Sequence, residues 1–243
     1  MHLELMSRYS QNFLINPKIA DYIVKEAEIK PDDIVLEIGP GKGILTDKLL
    51  EKCEVYAIEI DKTLCEYLSI IFQDYIKNGR LHLICGDALK VDFPKFNKIV
   101  ANIPYHISSP LLFKILEYEF ERGILMLQYE FAERLVAKPG SKRYGRLSVM
   151  MYYNGEARIL KRVKRGNFKP VPRVDSAIVK ITKKDRFCYD KDKLNEFVRK
   201  LFEQRRKKIR NILEEVPYGD SRVEELSPEE ICEVVQYADR IRN

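Results

Sequence analysis

No apolar stretch of the chain approaches membrane-spanning length, and there is no internal repeat and no low-complexity tract. The first of these absences excludes a helical membrane span. Histidine is scarce: His2, His82 and His106 fall in no metal-like spacing with the five cysteines, so no metal is expected. The cysteine count is odd and contains no C-x-x-C pair, and no N-terminal apolar run leads to a small-residue cleavage site. Both features point to a reducing, cytoplasmic setting. A Gly-x-Ser-x-Gly elbow is missing, and Gly43 has neither the spacing nor the Lys-Ser/Thr ending of a P-loop. Hydrolase and nucleoside-triphosphatase readings fall with them.

What is present is a chain of 243 residues, 45% hydrophobic and 33% charged. That is enough for one large core, or one core with a small appendage. Lys and Arg number 43 against 37 Asp and Glu, giving 43 − 37 = +6. The excess is local. Between Lys138 and Arg173 there are eleven basic residues and one acid, Glu156, with Tyr144, Tyr152, Tyr153 and Phe168 interleaved. A second basic block runs through Arg199, Lys200, Arg205, Arg206, Lys207, Lys208 and Arg210, on the helical apolar spacing Phe197, Leu201, Ile209, Leu213. The tail after Leu213 is acidic, so basic and acidic regions are expected to be separate. Paired basic blocks with aromatics suit a phosphate-bearing polymer better than a small acidic metabolite.

Apolar, β-branched runs of strand length recur at Ile34–Ile38, Val55–Ile60, Leu81–Cys85, Lys98–Ala101 and Ile124–Leu127. Amphipathic helix-length stretches separate them at Ile44–Lys52, Lys62–Ile76, Ser109–Tyr118 and Tyr129–Val136. The alternation predicts an α/β fold with a mostly parallel sheet, helices on both faces, and ligands at the carboxyl ends of the strands. Further strands are expected at Ala157–Val163 and Ser176–Thr182. Lys183–Lys193 reads as a linker, which divides the chain into residues 1–184 and a small helical domain, 185–243.

Chemistry gathers at the predicted strand ends. The first strand enters Glu37-Ile38-Gly39-Pro40-Gly41-Lys42-Gly43, where glycine lets a ligand approach bare backbone. Glu59, at the end of the second strand, can accept the hydroxyls of a ribose, and Asp87, after the third, can accept an adenine 6-amino group. Together they describe an adenosine site without a pyrophosphate cradle, which fits S-adenosylmethionine better than NAD. The fourth strand leads into Asn102-Ile103-Pro104-Tyr105. An aromatic amine is a poor nucleophile because its lone pair is delocalised. The Asn102 side-chain oxygen and the carbonyl beside Pro104 could hold its two hydrogens and aim the lone pair at a sulfonium methyl, while Tyr105 stacks on the base. A stacked base would have to be extruded first.

The residues then become recognisable. Ser10-Gln11-Asn12-Phe13-Leu14, Glu37 to Gly43, Asn102 to Ser108, Lys142 to Val149, Asn167 to Ala177 and Phe202 to Asn211 together resemble the small-subunit ribosomal RNA adenine dimethyltransferases, the KsgA family. The resemblance spans nearly the whole chain. It implies a Rossmann-like class I methyltransferase fold with a seven-stranded sheet over residues 1–184, S-adenosylmethionine as methyl donor, and dimethylation of two adjacent adenines near the 3′ end of small-subunit rRNA. The expected partner is the immature 30S particle, met by a cytoplasmic monomer with a role in ribosome biogenesis and no membrane.

By this similarity Asn12, Leu14, Gly39, Glu59, Asp87 and Asn102 would contact the donor, with Gln11 supporting them and Gly41, Ile60 and Ala88 alongside. Asn102, Pro104 and Tyr105 would hold the target adenine, and Phe168 resembles the family's second aromatic, closing over the flipped base. Lys142, Arg143, Arg146, Arg162, Arg165, Arg205, Arg206 and Lys207 would face the RNA. Two features depart from the family: Ser10 stands where glycine is common, and the region after Asp185 is short. Leu127 to Ala132 and the Lys/Glu/Ile-rich composition resemble archaeal members. Two rivals share these features: an erythromycin-resistance-type methyltransferase acting on large-subunit rRNA, and a ribosome-assembly module without catalysis.

Overall fold

A computed structural model describes residues 12–242. The elements in chain order are β1 (Phe13–Leu14), α1 (Pro17–Glu26), β2 (Ile34–Ile38), α2 (Ile44–Leu50), β3 (Glu54–Glu59), α3 (Lys62–Ile71), α4 (Gln73–Lys77), β4 (Leu81–Cys85), β5 (Lys98–Asn102), α5 (Ser108–Ile115), β6 (Arg122–Gln128), α6 (Tyr129–Leu135), α7 (Arg146–Asn154), β7 (Gly155–Val163), β8 (Phe168–Lys169), β9 (Ser176–Lys183), α8 (Lys191–Glu203) and α9 (Pro228–Arg242). The chain separates into two compact units. One holds the chain up to Tyr129 with Arg158–Lys183; the other holds Glu130–Ala157 and everything from Lys184 on. The sequence alone suggests one cut, after residue 184, which gives 130–157 to the larger domain. That stretch, with α7, belongs instead to the smaller unit.

The larger unit is built on a seven-stranded sheet in the order β4-β3-β2-β5-β6-β9-β7. β4, β3, β2, β5 and β6 are mutually parallel and β9 runs antiparallel to β6. From β2 the chain moves outward to β3 and β4, then returns to β5 and moves the other way to β6. Right-handed crossovers put the helices of the two halves on opposite faces. The crevice at the carboxyl ends, where the order reverses between β2 and β5, is therefore the place for a ligand. β2 and β6 are buried along almost their whole length, as strands covered on both faces must be, which is why their continuous apolar runs are readable.

The helix starts follow local chemistry. Asn16 accepts the Lys18 N–H ahead of Pro17, and Asp61 and Asp190 do the same for Thr63 and Lys193. Two expectations need correction. The helix expected over Lys62–Ile76 breaks at Phe72, whose backbone leaves helical values at φ −110°, ψ 22°. The helical spacing expected through Leu213 stops at Glu203, because the like-charged run Arg205 to Lys208 turns instead, with Lys207 N–H bonded to the Gln204 carbonyl. The cysteines pair in a way that no count of them foretells. Cys65 is bonded to Cys85 and Cys188 to Cys232, leaving Cys53. These partners lie 20 and 44 residues apart and meet only through tertiary folding, so short-range spacing carries no trace of them. Among the described residues no helix is long and apolar enough to cross a membrane.

Candidate active site

Three left-handed glycines follow β2: Gly39, Gly41 and Gly43, at φ 71°, 59° and 84°. A side chain at Gly41 would bring its Cβ to 2.9 Å from the Phe13 ring, so glycine there is required by space as well as by φ. The turn is tied to β3 by Glu59, which is buried: one carboxylate oxygen accepts the Gly41 N–H at 3.1 Å and the other the Asp61 N–H at 3.0 Å. A short antiparallel ribbon of β1 and β8 borders the same space, pairing Phe13 with Lys169 and Leu14 with Phe168. Together these elements enclose a cavity of 540 Å³.

Nine of the residues singled out in the sequence line this cavity: Asn12, Leu14, Gly39, Gly41, Glu59, Asn102, Pro104, Tyr105 and Phe168. Ile60, Asp87 and Ala88 do not. Ile60 is turned toward solvent and Ala88 is buried, while Asp87 spends one carboxylate oxygen on the Leu89 N–H at 2.9 Å. Its second oxygen is 3.9 Å from the exposed Lys90 ammonium. Gln11 lies outside the described residues. Sequence reasoning missed Phe13, Lys42, Gln128 and the Pro170 to Val174 segment, all of which line the cavity. The signal available for the last was its place directly after Phe168.

At the end of β5 the Asn102 amide donates from Nδ2 to the Asn12 carbonyl at 3.3 Å. This fixes the amide and leaves Oδ1 as the acceptor with no intramolecular donor among the described residues. The neighbouring carbonyls differ in availability. That of Pro104 accepts the Ile107 N–H at 3.1 Å and the Ser108 hydroxyl at 3.4 Å. The Ile103 carbonyl has no such partner among the described residues. The free pair of oxygens is therefore Asn102 Oδ1 and Ile103 O. Tyr105 is held by its hydroxyl, 2.9 Å from Ser176 Oγ on β9. Burial pushes its phenol above the ordinary value, so it is a neutral ring.

Beneath the glycine turn Glu37 is fully buried and neither carboxylate oxygen has a hydrogen-bond partner among the described residues. Burial, reinforced by the nearby Glu59, pushes it up to about 8; the Thr46 hydroxyl beside it offsets this only in part. It is neutral at pH 7.

The cations divide sharply. Arg143 pairs with Glu130 and Glu133, Arg162 with Asp175, and Arg205 with Glu224. Arg146 donates to Asn195 and Lys207 to Gln204. Lys142, Arg165 and Arg206 form no ion pair among the described residues, nor do Lys164, Lys169 and Arg173, of which Arg173 lines the cavity. The acidic tail is not a separate region: besides Glu224, its Asp220 binds Lys208 and Arg210, so it neutralises the second basic block.

A mostly parallel sheet with a glycine turn, a buried acid and a loop of uncharged acceptors at successive strand ends has the form of a Rossmann-like, S-adenosylmethionine-dependent methyltransferase. Solved structures share the architecture: a dimethyladenosine transferase from Plasmodium falciparum superposes with TM-score 0.82 at 31% identity, covering 94% of this chain and 98% of that one. The 23S rRNA methyltransferase ErmE gives 0.73 at 27%, covering 94% and 100%. The model of the ribosomal RNA adenine dimethylase family matches residues 3–239. The chain belongs to that family, and is an rRNA adenine dimethyltransferase that uses S-adenosylmethionine. Relatives described as probable ribosomal RNA small subunit methyltransferase A include those of Thermococcus gammatolerans, 44% identical over 93% of this chain and 87% of the relative, and Methanococcoides burtonii, 42% identical over 97% and 94%.

Proposed function

We propose that this enzyme dimethylates the 6-amino groups of two adjacent adenines near the 3′ end of small-subunit rRNA, acting as a cytoplasmic monomer on the immature 30S particle during ribosome biogenesis. The observation that carries the reading is the pair of free, uncharged oxygens at Asn102 Oδ1 and Ile103 O. Asn12, Leu14, Gly39, Gly41, Glu59 and Asp87 would hold the donor, which supplies a methyl group on a positively charged sulfonium. The cavity fits it: bare glycine backbone and the buried Glu59 carboxylate both line it.

The chain's own part is positioning. The two oxygens accept the amine hydrogens, so the nitrogen lone pair points out of the ring plane toward the methyl group. Neutral acceptors suffice, since the amine becomes positively charged as it attacks and sheds its proton afterward. Tyr105, anchored by Ser176, and Phe168 supply aromatic surfaces for a base turned out of the stack. Arg173 on the cavity wall, with Lys164, Arg165 and Lys169 a few residues before it in the chain, supplies charge suited to phosphate. On the smaller unit, Lys142 and Arg206 form no ion pair among the described residues.

Asn102→Ala is expected to lower methyl transfer by about a hundredfold or more, with binding to the immature particle retained. Full activity would show that something else aims the amine. Mapping dimethyladenine after reaction with immature 30S particles and with protein-free large-subunit rRNA tests the substrate. Label confined to the large-subunit RNA would overturn the assignment in favour of the activity named for ErmE.

A further inference from the structure

We propose that Lys114 is a positioning residue for the donor's adenine, acting through the turn that presents Asp87. The inference rests on the reading of Asp87 as the adenine acceptor.

Lys114 stands in the last turn of α5, yet it has no carboxylate partner among the described residues. Its ammonium is spent instead on main chain: it donates to the Ala88 carbonyl at 3.0 Å and to the Val91 carbonyl at 2.5 Å, and lies 4.5 Å from the centroid of the Phe93 ring. Two carbonyls and a ring face satisfy three N–H bonds, which is the whole donor capacity of an ammonium. The turn depends on it. Gly86 N–H is tied to Glu59 O at 2.8 Å and Phe93 N–H to the Tyr118 hydroxyl at 3.2 Å, so both ends are fixed. Within the span, Asp87 caps its own turn through Leu89 N–H, and its carbonyl accepts from Lys90 and Val91. Among the described residues the Ala88 and Val91 carbonyls point to Lys114 alone. Without that cation, two partly buried carbonyls lose their donor, and the turn is free to rotate the Asp87 carboxylate.

The helix matters as much as the side chain. α5 begins directly after the Tyr105–Ile107 turn that follows Asn102, and its last turn carries the residue that clamps the Asp87 turn. One rigid rod therefore joins the loop proposed to hold the target amine to the turn proposed to hold the donor's adenine, fixing their separation.

The test is donor affinity measured by calorimetry on the full chain, for S-adenosylmethionine and for its analogue with a 6-oxo purine, in wild type, Lys114→Met, Lys114→Arg, Asp87→Asn and the Lys114→Met/Asp87→Asn double variant. Asp87→Asn keeps the acceptor for Leu89 N–H and removes the one offered to adenine. Lys114→Met is expected to weaken S-adenosylmethionine roughly tenfold and to erase the preference over the 6-oxo analogue. The double variant should bind as Asp87→Asn alone does, and Lys114→Arg, which keeps two donors, should stay within about twofold of wild type. If Lys114→Met lowers thermal stability but leaves affinity and analogue preference intact, or if its effect adds fully to that of Asp87→Asn, the inference is overturned. If Lys114→Met does not fold, loss of the analogue preference in Lys114→Gln takes its place, and its retention overturns the inference. Unchanged affinity in Asp87→Asn would instead remove the reading of Asp87 on which the proposal stands.

Discussion

A carboxyl group sealed in the interior without a hydrogen bond, as Glu37 is, is tolerated while it keeps its proton. Its folded value near 8 lies above the ordinary 4.5, so the unfolded chain releases this proton first as pH rises. The contribution to stability is fully present below pH 4.5 and is lost progressively up to about 8. Glu37→Gln, which keeps the shape and cannot ionise, should flatten this part of the stability profile: at pH 8 the variant should be the more stable by a few kcal/mol, as a shift of roughly 1.4 kcal/mol per unit implies. Urea unfolding at pH 5, 6.5 and 8 measures it, and parallel profiles for the two proteins would mean that Glu37 is solvated or partnered. Gly41 makes a steric argument of the same kind. Alanine there combines φ 59° with a Cβ only 2.9 Å from the Phe13 ring. Gly41→Ala should cost about 1–3 kcal/mol and weaken donor binding in calorimetry. An unaltered affinity would show that the turn does not cradle the donor. Gly41 and Glu59 were legible in the sequence because strand ends and glycines announce themselves locally. The unpartnered state of Glu37 was not, since it depends on what its neighbours fail to offer.

Elements differ in the same way. β2 and β6 could be read from sequence because burial on both faces demands unbroken apolar runs. The β1–β8 ribbon could not: each strand has two residues, and the pairing joins segments about 150 positions apart in which neither has a periodic pattern. Phe168 was reached only through the resemblance, though its burial and its place beside Leu14 follow from this ribbon. The cysteine pairs and the break at Phe72 are likewise products of tertiary packing. The ribbon's integrity rests on Asn16, whose Nδ2 donates to Asn167 Oδ1 at 2.7 Å while its own Oδ1 caps α1 through Lys18 N–H at 2.9 Å. Asn16→Ala removes both bonds, with a cap worth about 1 kcal/mol. Hydrogen exchange should quicken at Phe13, Leu14, Phe168 and Lys169, and donor affinity should fall. Exchange confined to the first turn of α1 would show the cap matters and the ribbon tie does not.

For the whole molecule, a charge map drawn from sequence overstates what is free to meet RNA. It treats basic blocks as surfaces, whereas Arg143, Arg162 and Arg205 are committed to Glu130 and Glu133, Asp175 and Glu224. Partners this far apart in sequence are invisible to a count. Four cations of the larger unit without an ion pair among the described residues, Lys164, Arg165, Lys169 and Arg173, follow one another through the segment that carries Phe168, and exposed Val171 and Val174 of the same segment lie on the wall of the cavity. Apolar side chains among phosphate-binding cations suit a surface that presses against unstacked bases. Neutralising all four cations should therefore weaken binding to the immature particle and reduce the slope of log affinity against log salt by roughly 0.7–0.9 for each phosphate no longer neutralised, about 3 in total. Donor affinity should not follow, because none of the four is among the residues proposed to hold the donor. Arg205→Ala should behave oppositely: it breaks the pair with Glu224 and the bond to the Lys142 carbonyl, lowering Tm by about 2–4 °C with little change in salt slope. Filter binding across a salt series, run beside thermal melts of each variant, separates the two. A slope that fell with Arg205→Ala and held in the fourfold variant would move the RNA-facing surface to the smaller unit.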